Sequence, residues 1–127
     1  MIGKVYDMFG RYRLVPEVYS AHYWIRGQGE RQAGNAPIQS GAQQIIKKAM
    51  GELCDVYPLF NAGHYVCKPL MQIHDELLFE VSDNQIDDVV RLFVLIMEEA
   101  VRLDVPLKVD VEVGKRWNEL QAYRRAL

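Results

Sequence analysis

Two groups of side chains have the types and spacing to do chemistry. The first is His74-Asp75-Glu76, set inside the apolar string Leu70-Met71-Gln72-Ile73-His74-Asp75-Glu76-Leu77-Leu78-Phe79-Glu80-Val81. A carboxylate among apolar residues is costly unless it is paired or holds a cation. Adjacent acids on a tight turn suit a divalent ion, because Mg²⁺ takes one or two carboxylates together with substrate phosphates. The same residues also fit a plain turn, with Asp75 shaping it and Glu76 in water. The second group is Arg31, Asn35 and Gln39, at steps of four. These side chains hydrogen-bond base edges and phosphate oxygens well, and they would equally suit a solvated helix face. Arg11 and Arg13 fit a phosphate contact or a strand edge. His22 and His64 have no partner at metal-ligand spacing, and there is no Gly-rich phosphate loop, Gly-x-Ser-x-Gly elbow or His-Glu-x-x-His pair.

The elements that must position these groups are legible to different degrees. Residues 1–20 are short apolar and basic pieces broken by Gly3, Gly10 and Pro16, which predicts strands or irregular structure. Residues 21–34 are polar and glycine-containing and suit a short helix. From Pro37 a long helix is expected, with Ile38, Ala42, Ile45, Ile46, Ala49, Met50 and Leu53 on its inner face and Pro58 closing it. Residues 64–73 and 77–81 predict a hairpin with His74-Asp75-Glu76 at or near its turn. Ser82 and Gln85 match a capping box opening a second helix, whose inner face is Ile86, Val89, Val90, Phe93, Met97, Ala100 and Val101. Asp104-Val105-Pro106 ends it. Leu107, Val109, Val111 and Val113 then alternate with Lys108, Asp110 and Glu112, the period of a half-buried strand. Trp117 is expected to anchor the C-terminal region in the core. The sum is a single α+β domain over residues 1–127, an antiparallel sheet with helices packed on one face.

Totals exclude several classes. Half of the 127 residues are apolar and a quarter charged, so the chain is neither disordered nor fibrous. Residues 1–50 carry seven Lys or Arg against three acids, and residues 51–127 carry eight against fourteen. A basic half and an acidic half can present phosphate on one side and a cation on the other. Cys54 and Cys67 match no zinc pattern and are expected as reduced, buried thiols. No apolar stretch approaches the roughly 20 residues of a membrane span, and Met1-Ile2-Gly3-Lys4 opens no signal peptide. A soluble, cytoplasmic protein without a membrane partner is the expectation.

The string from Gln72 to Val81 closely resembles motif C of family A DNA polymerases, the bacterial DNA polymerase I and phage type. Glu30-Arg31-Gln32-Ala33-Gly34-Asn35-Ala36-Pro37-Ile38-Gln39 is similar to the segment before that family's long palm helix, and Ile45-Ile46-Lys47-Lys48-Ala49-Met50 to the helix body. Asp104-Val105-Pro106-Leu107, then Val111 to Gly114 and Trp117, resemble the closing strand. Gly10-Arg11 and Pro16-Glu17 fit the stretch after the fingers. Ser40-Gly41-Ala42-Gln43 departs from the commonest wording and leans towards phage-like relatives.

The resemblance implies a C-terminal palm portion and assigns roles. Asp75 would be a catalytic metal-binding carboxylate with Glu76 in support, and His74 would lie near the primer 3′ end. Arg31, Asn35 and Gln39 would bind primer-template DNA through its minor groove, whose acceptors are alike for all base pairs. Two Mg²⁺ ions would serve a nucleotidyl transfer from deoxynucleoside triphosphates in replication or repair, in a bacterial or phage-infected cell and associated with its nucleoid. The family's second metal-binding Asp and its fingers helix find no match, since the surroundings of Asp7 do not resemble that motif. The chain alone is therefore expected not to polymerise DNA, whether cut from a longer polymerase or completed by a separate polypeptide. Apolar surface left open would favour a homo-oligomer. The alternative is a non-catalytic module that binds duplex DNA or a polymerase. A single-subunit RNA polymerase is a lesser alternative, which Glu76 after His74-Asp75 disfavours.

Overall fold

The computed structural model describes residues 3–123. Strands β1 (Lys4–Tyr6) and β2 (Tyr12–Leu14) form an antiparallel hairpin in which Val5 faces Arg13 and Tyr6 faces Tyr12. Gly10, at φ 81°, lets its turn close. A 3-10 turn over Pro16–Tyr19 leads into helix α1, which runs unbroken from Tyr23 to Val56.

This corrects the expectation of a short helix followed by a second one starting at Pro37. Pro37 lies inside α1, where it withholds one helical N–H, a cost of about 3 kcal/mol. The glycines that read as breakers serve packing instead. A Cβ on Gly29 would stand 2.8 Å from Glu17 Cβ and from Val18 N, so only glycine lets the 3-10 turn lie that close to the helix. Of the inner face expected for α1, Ile46, Ala49 and Leu53 are buried, whereas Ala42 is exposed and Ile38 is 73% exposed. Ile38 directly follows the proline, on the polar side that also carries Gln39.

The remaining elements are β3 (Cys67–Ile73), β4 (Glu76–Val81), α2 (Ile86–Glu99), β5 (Glu112–Val113) and β6 (Gln121–Ala122). Three separate two-stranded sheets result among the described residues, β1-β2, β3-β4 and β5-β6, rather than one continuous sheet; the class remains α+β. The side chain of Asn61 fixes where β3 starts, its Oδ1 accepting the Cys67 N–H at 2.6 Å and its Nδ2 donating to the Cys67 carbonyl at 2.9 Å.

The described chain forms two compact units. One comprises the residues up to Lys47 together with Ile73–Glu76; the other comprises Lys48–Gln72 and the residues from Leu77 on. The second unit has a clear apolar core. Leu53, Cys67, Val89 and Phe93 are buried together, with Val56, Phe60, Leu77, Phe79 and Met97 packed around them. The β3–β4 ribbon thus packs against the end of α1 and against α2.

Three local expectations are corrected here. Ser82 does not cap through its side chain: its Oγ accepts the N–H of Val66 at 2.7 Å, and residues 83–85 form a 3-10 turn before α2. Gln85 Oε1 is left buried without a hydrogen bond among the described residues. Between Leu107 and Val113 exposure alternates as the sequence predicts, but only Glu112–Val113 join a ladder. The amide of Val109 bonds the Glu98 carboxylate at 3.1 Å instead of a strand. Trp117 is 56% exposed and anchors no core.

Cys54 is exposed and Cys67 fully buried, both free, against the expectation that both are buried. Cys54 lies on the outer side of α1, next to buried Leu53. Burial also pushes the Cys67 thiol above its ordinary range, which keeps it protonated and unreactive. Native protein treated with iodoacetamide at neutral pH is expected to gain a single adduct, at Cys54, and a second only after denaturation. Peptide mass spectrometry reads this directly; early labelling of Cys67 would contradict the packing described.

Candidate metal and nucleic-acid site

Strands β3 and β4 are joined by a two-residue turn, His74-Asp75. His74 has φ 52°, and among the described residues it is the one non-glycine with positive φ. Positive φ at the first central residue alone is the sign pattern of a type II′ hairpin turn, where glycine is usual. A side chain held there costs on the order of 1–3 kcal/mol. Across the ribbon, Lys68 Nζ and Glu80 Oε2 pair at 2.9 Å with both side chains about half exposed, which adds little beyond register.

The turn presents His74, Asp75 and Glu76 to solvent. Neither Asp75 nor Glu76 forms an ion pair with any described residue. Their oxygens are hard donors, the type Mg²⁺ prefers, so donor chemistry and exposure both fit. No three His, Cys, Asp or Glu side chains are grouped to hold a metal ion among the described residues.

Arg31, Asn35 and Gln39 are all exposed on α1. At four residues per step they stand about 6 Å apart along the axis, so the trio spans about 12 Å, roughly three to four base-pair steps. The sequence could not show that the turn Ile73–Glu76 falls in the same compact unit as this stretch of α1. Both expected groups are therefore carried by one unit.

A further feature of this unit escaped the sequence reading. Asp7 is buried, 7% exposed. Its Oδ1 accepts the N–H groups of Phe9 at 3.0 Å and Arg11 at 2.9 Å, and its Oδ2 accepts the Ser40 hydroxyl at 2.5 Å. The Ser40 bond foremost, aided by the two N–H groups and the Arg11 charge, holds the Asp7 carboxyl below its usual range against the upward push of burial. Asp7 thus stays ionised at neutral pH. The first half was readable, because Asp7-Met8-Phe9-Gly10 is an Asp-initiated turn closed by glycine; the bond to Ser40 was not.

The described chain is α+β, with adjacent exposed acids on a hairpin turn and Arg, Asn and Gln along a helix. Residues 2–119 match the family model described as DNA polymerase family A. The chain is 41% identical over 115 residues to DNA polymerase I of Bacillus subtilis, covering 91% of this chain and 13% of that polymerase. It is 40% identical over 117 residues to DNA polymerase I of Streptococcus pneumoniae, covering 92% and 13%. Among solved structures it is similar to the POL domain of Pol1 from M. smegmatis in complex with DNA primer-template and dNTP, with a TM-score of 0.76 and 39% identity, covering 84% of this chain and 18% of that one. The chain belongs to DNA polymerase family A. It spans about an eighth of the length of these curated relatives, and no described helix is long and apolar enough to cross a membrane.

Proposed function

We propose that this chain is the palm portion of a family A DNA polymerase, supplying one carboxylate group and one duplex-gripping helix face for template-directed DNA synthesis. The observation that carries the reading is the exposed Asp75-Glu76 couple on a hairpin turn, in the same compact unit as exposed Arg31, Asn35 and Gln39. Asp75 holds a divalent ion, with Glu76 in support, and His74 faces the primer end. Bound Mg²⁺ supplies charge stabilisation at the transferring phosphoryl group. Arg31, Asn35 and Gln39 donate hydrogen bonds to minor-groove acceptors, a grip that tolerates every base pair. A deoxynucleoside triphosphate is the second substrate of the completed enzyme, and the cytoplasm its place of action.

A second element of the proposal is that by itself the chain binds duplex without polymerising. Fluorescence anisotropy with a labelled primer-template tests the grip. Arg31→Ala is expected to weaken binding by about tenfold, while Asp75→Ala leaves it nearly unchanged without Mg²⁺. Equal affinities for the native chain and Arg31→Ala would sink the assignment of α1 as the gripping face. Primer extension by the isolated native chain in Mg²⁺, lost in Asp75→Ala, would show instead that it polymerises unaided.

A further inference from the structure

A cleft of about 290 Å³ lies in the first unit, between the β1–β2 hairpin and the middle of α1. Arg11 and Arg13 line it from the hairpin, Gln39 and Gln43 from the helix, and Asp7 and Ser40 sit between them. Arg11 comes from the end of the turn and Arg13 from β2, and both line the cleft; Gln39 and Gln43 are four apart and share a side of the helix. Among the described residues Asp7 is the one acid lining the cleft, and its oxygens already accept hydrogen bonds. Guanidinium and amide donors thus share this concave surface with groups such as Tyr12 and Pro37, and such donors suit a phosphodiester.

The bond between Asp7 and Ser40 spans 33 positions of sequence. The turn itself does not need it. Asp7 Oδ1 already holds the Phe9 and Arg11 amides, the Asp7 amide donates to the Arg11 carbonyl at 2.8 Å, and the Gly10 amide donates to the Asp7 carbonyl at 3.1 Å. Oδ2 is left for the helix, and it meets the residue directly after Gln39. The bond therefore fixes the hairpin's arginines against the helix's glutamines.

We propose that Asp7 and Ser40 are positioning residues for duplex binding, holding Arg11 and Arg13 beside Gln39 and Gln43 so that the cleft takes the sugar–phosphate backbone of the duplex whose minor groove α1 grips. This rests on the assignment of α1 as the gripping face.

The test is anisotropy of a labelled primer-template with the 127-residue chain across a salt series from about 50 to 200 mM. Ser40→Ala removes the link and leaves the turn's own bonds. It is expected to weaken binding on the order of tenfold and to flatten the salt dependence by about two counterions, the two phosphates met by Arg11 and Arg13. Asp7→Ala, which also removes the turn's bonds to the Phe9 and Arg11 amides, should weaken binding at least as much. Asp7→Asn, whose amide still accepts from the turn and donates to Ser40, should stay within about threefold of the native chain. Replacing Arg11 and Arg13 by Gln should cost the native chain affinity and cost Ser40→Ala almost nothing more, because coupled residues are not additive. A merely structural role would lower the melting temperature but leave the salt slope and this non-additivity untouched. A native salt slope in Ser40→Ala, with Arg31→Ala still weakening binding, overturns the inference alone. No effect of Arg31→Ala overturns the gripping face and this inference with it.

Discussion

Asp75→Asn is expected to cut primer extension by on the order of 10³-fold when this chain replaces the matching 115-residue stretch of Bacillus subtilis DNA polymerase I. The replacement of one oxygen by an amide keeps the turn's shape and removes the negative charge. An amide nitrogen carries no lone pair for a cation, so the substituted side chain has lost both the charge and half of its donor set. Glu76, the first residue of β4, is the supporting group. Glu76→Gln should therefore cost about tenfold, as removal of a supporting group does. Single-turnover extension with the native graft as reference measures both. Undiminished extension in Asp75→Asn would refute the catalytic role given to this turn.

The second large effect is on stability. Phe93 is 7% exposed, and its ring meets Phe79 edge-on at a centroid distance of 4.9 Å and Phe60 at 6.1 Å. Phe93→Ala removes the ring at the centre of the second unit's core, where Leu53, Cys67 and Val89 also converge. Such truncations cost about 3–5 kcal/mol, against a total stability of roughly 5–15 kcal/mol for a domain. The expected result is loss of most of the urea-unfolding midpoint followed by circular dichroism. Val105→Ala, at a site 72% exposed, serves as the control and should change stability by no more than about 0.5 kcal/mol. Equal midpoints for the two variants would mean that Phe93 does not organise this core.

These two predictions sit on the parts of the molecule most legible in the sequence. The β3–β4 hairpin and α2 were readable because apolar runs of strand length flank His74-Asp75-Glu76, and because Val89, Phe93 and Met97 repeat at helical steps. The first half of α1 was not, because Gly27, Gly29, Gly34 and Pro37 carry poor intrinsic propensity and tertiary packing overrides it. Gly29 is needed for the close approach of the 3-10 turn, a reason invisible along one dimension. Ser82 matched a capping pattern, yet its hydroxyl had a partner 16 residues away in Val66. Of the site, residue types and order pointed to each group separately. That one compact unit carries both, and that Asp7 reaches Ser40, are facts of tertiary placement.

The division into two-stranded ribbons leaves every described strand with one side of its backbone unladdered. Exposed strand borders are where separate chains zip together. The borders here are not equally dangerous. β1 and β2 are three residues long and β5 and β6 two, too short to template much. β3 is seven residues long but contains Pro69, which offers no amide hydrogen, and Lys68 beside it. β4, with Leu77, Leu78 and Phe79 in succession and no proline, has Glu76 at its start and Glu80 near its end to discourage an intruding strand. Intermolecular pairing of this chain, whether into an ordered assembly or an aggregate, is thereby channelled to the outer border of β4.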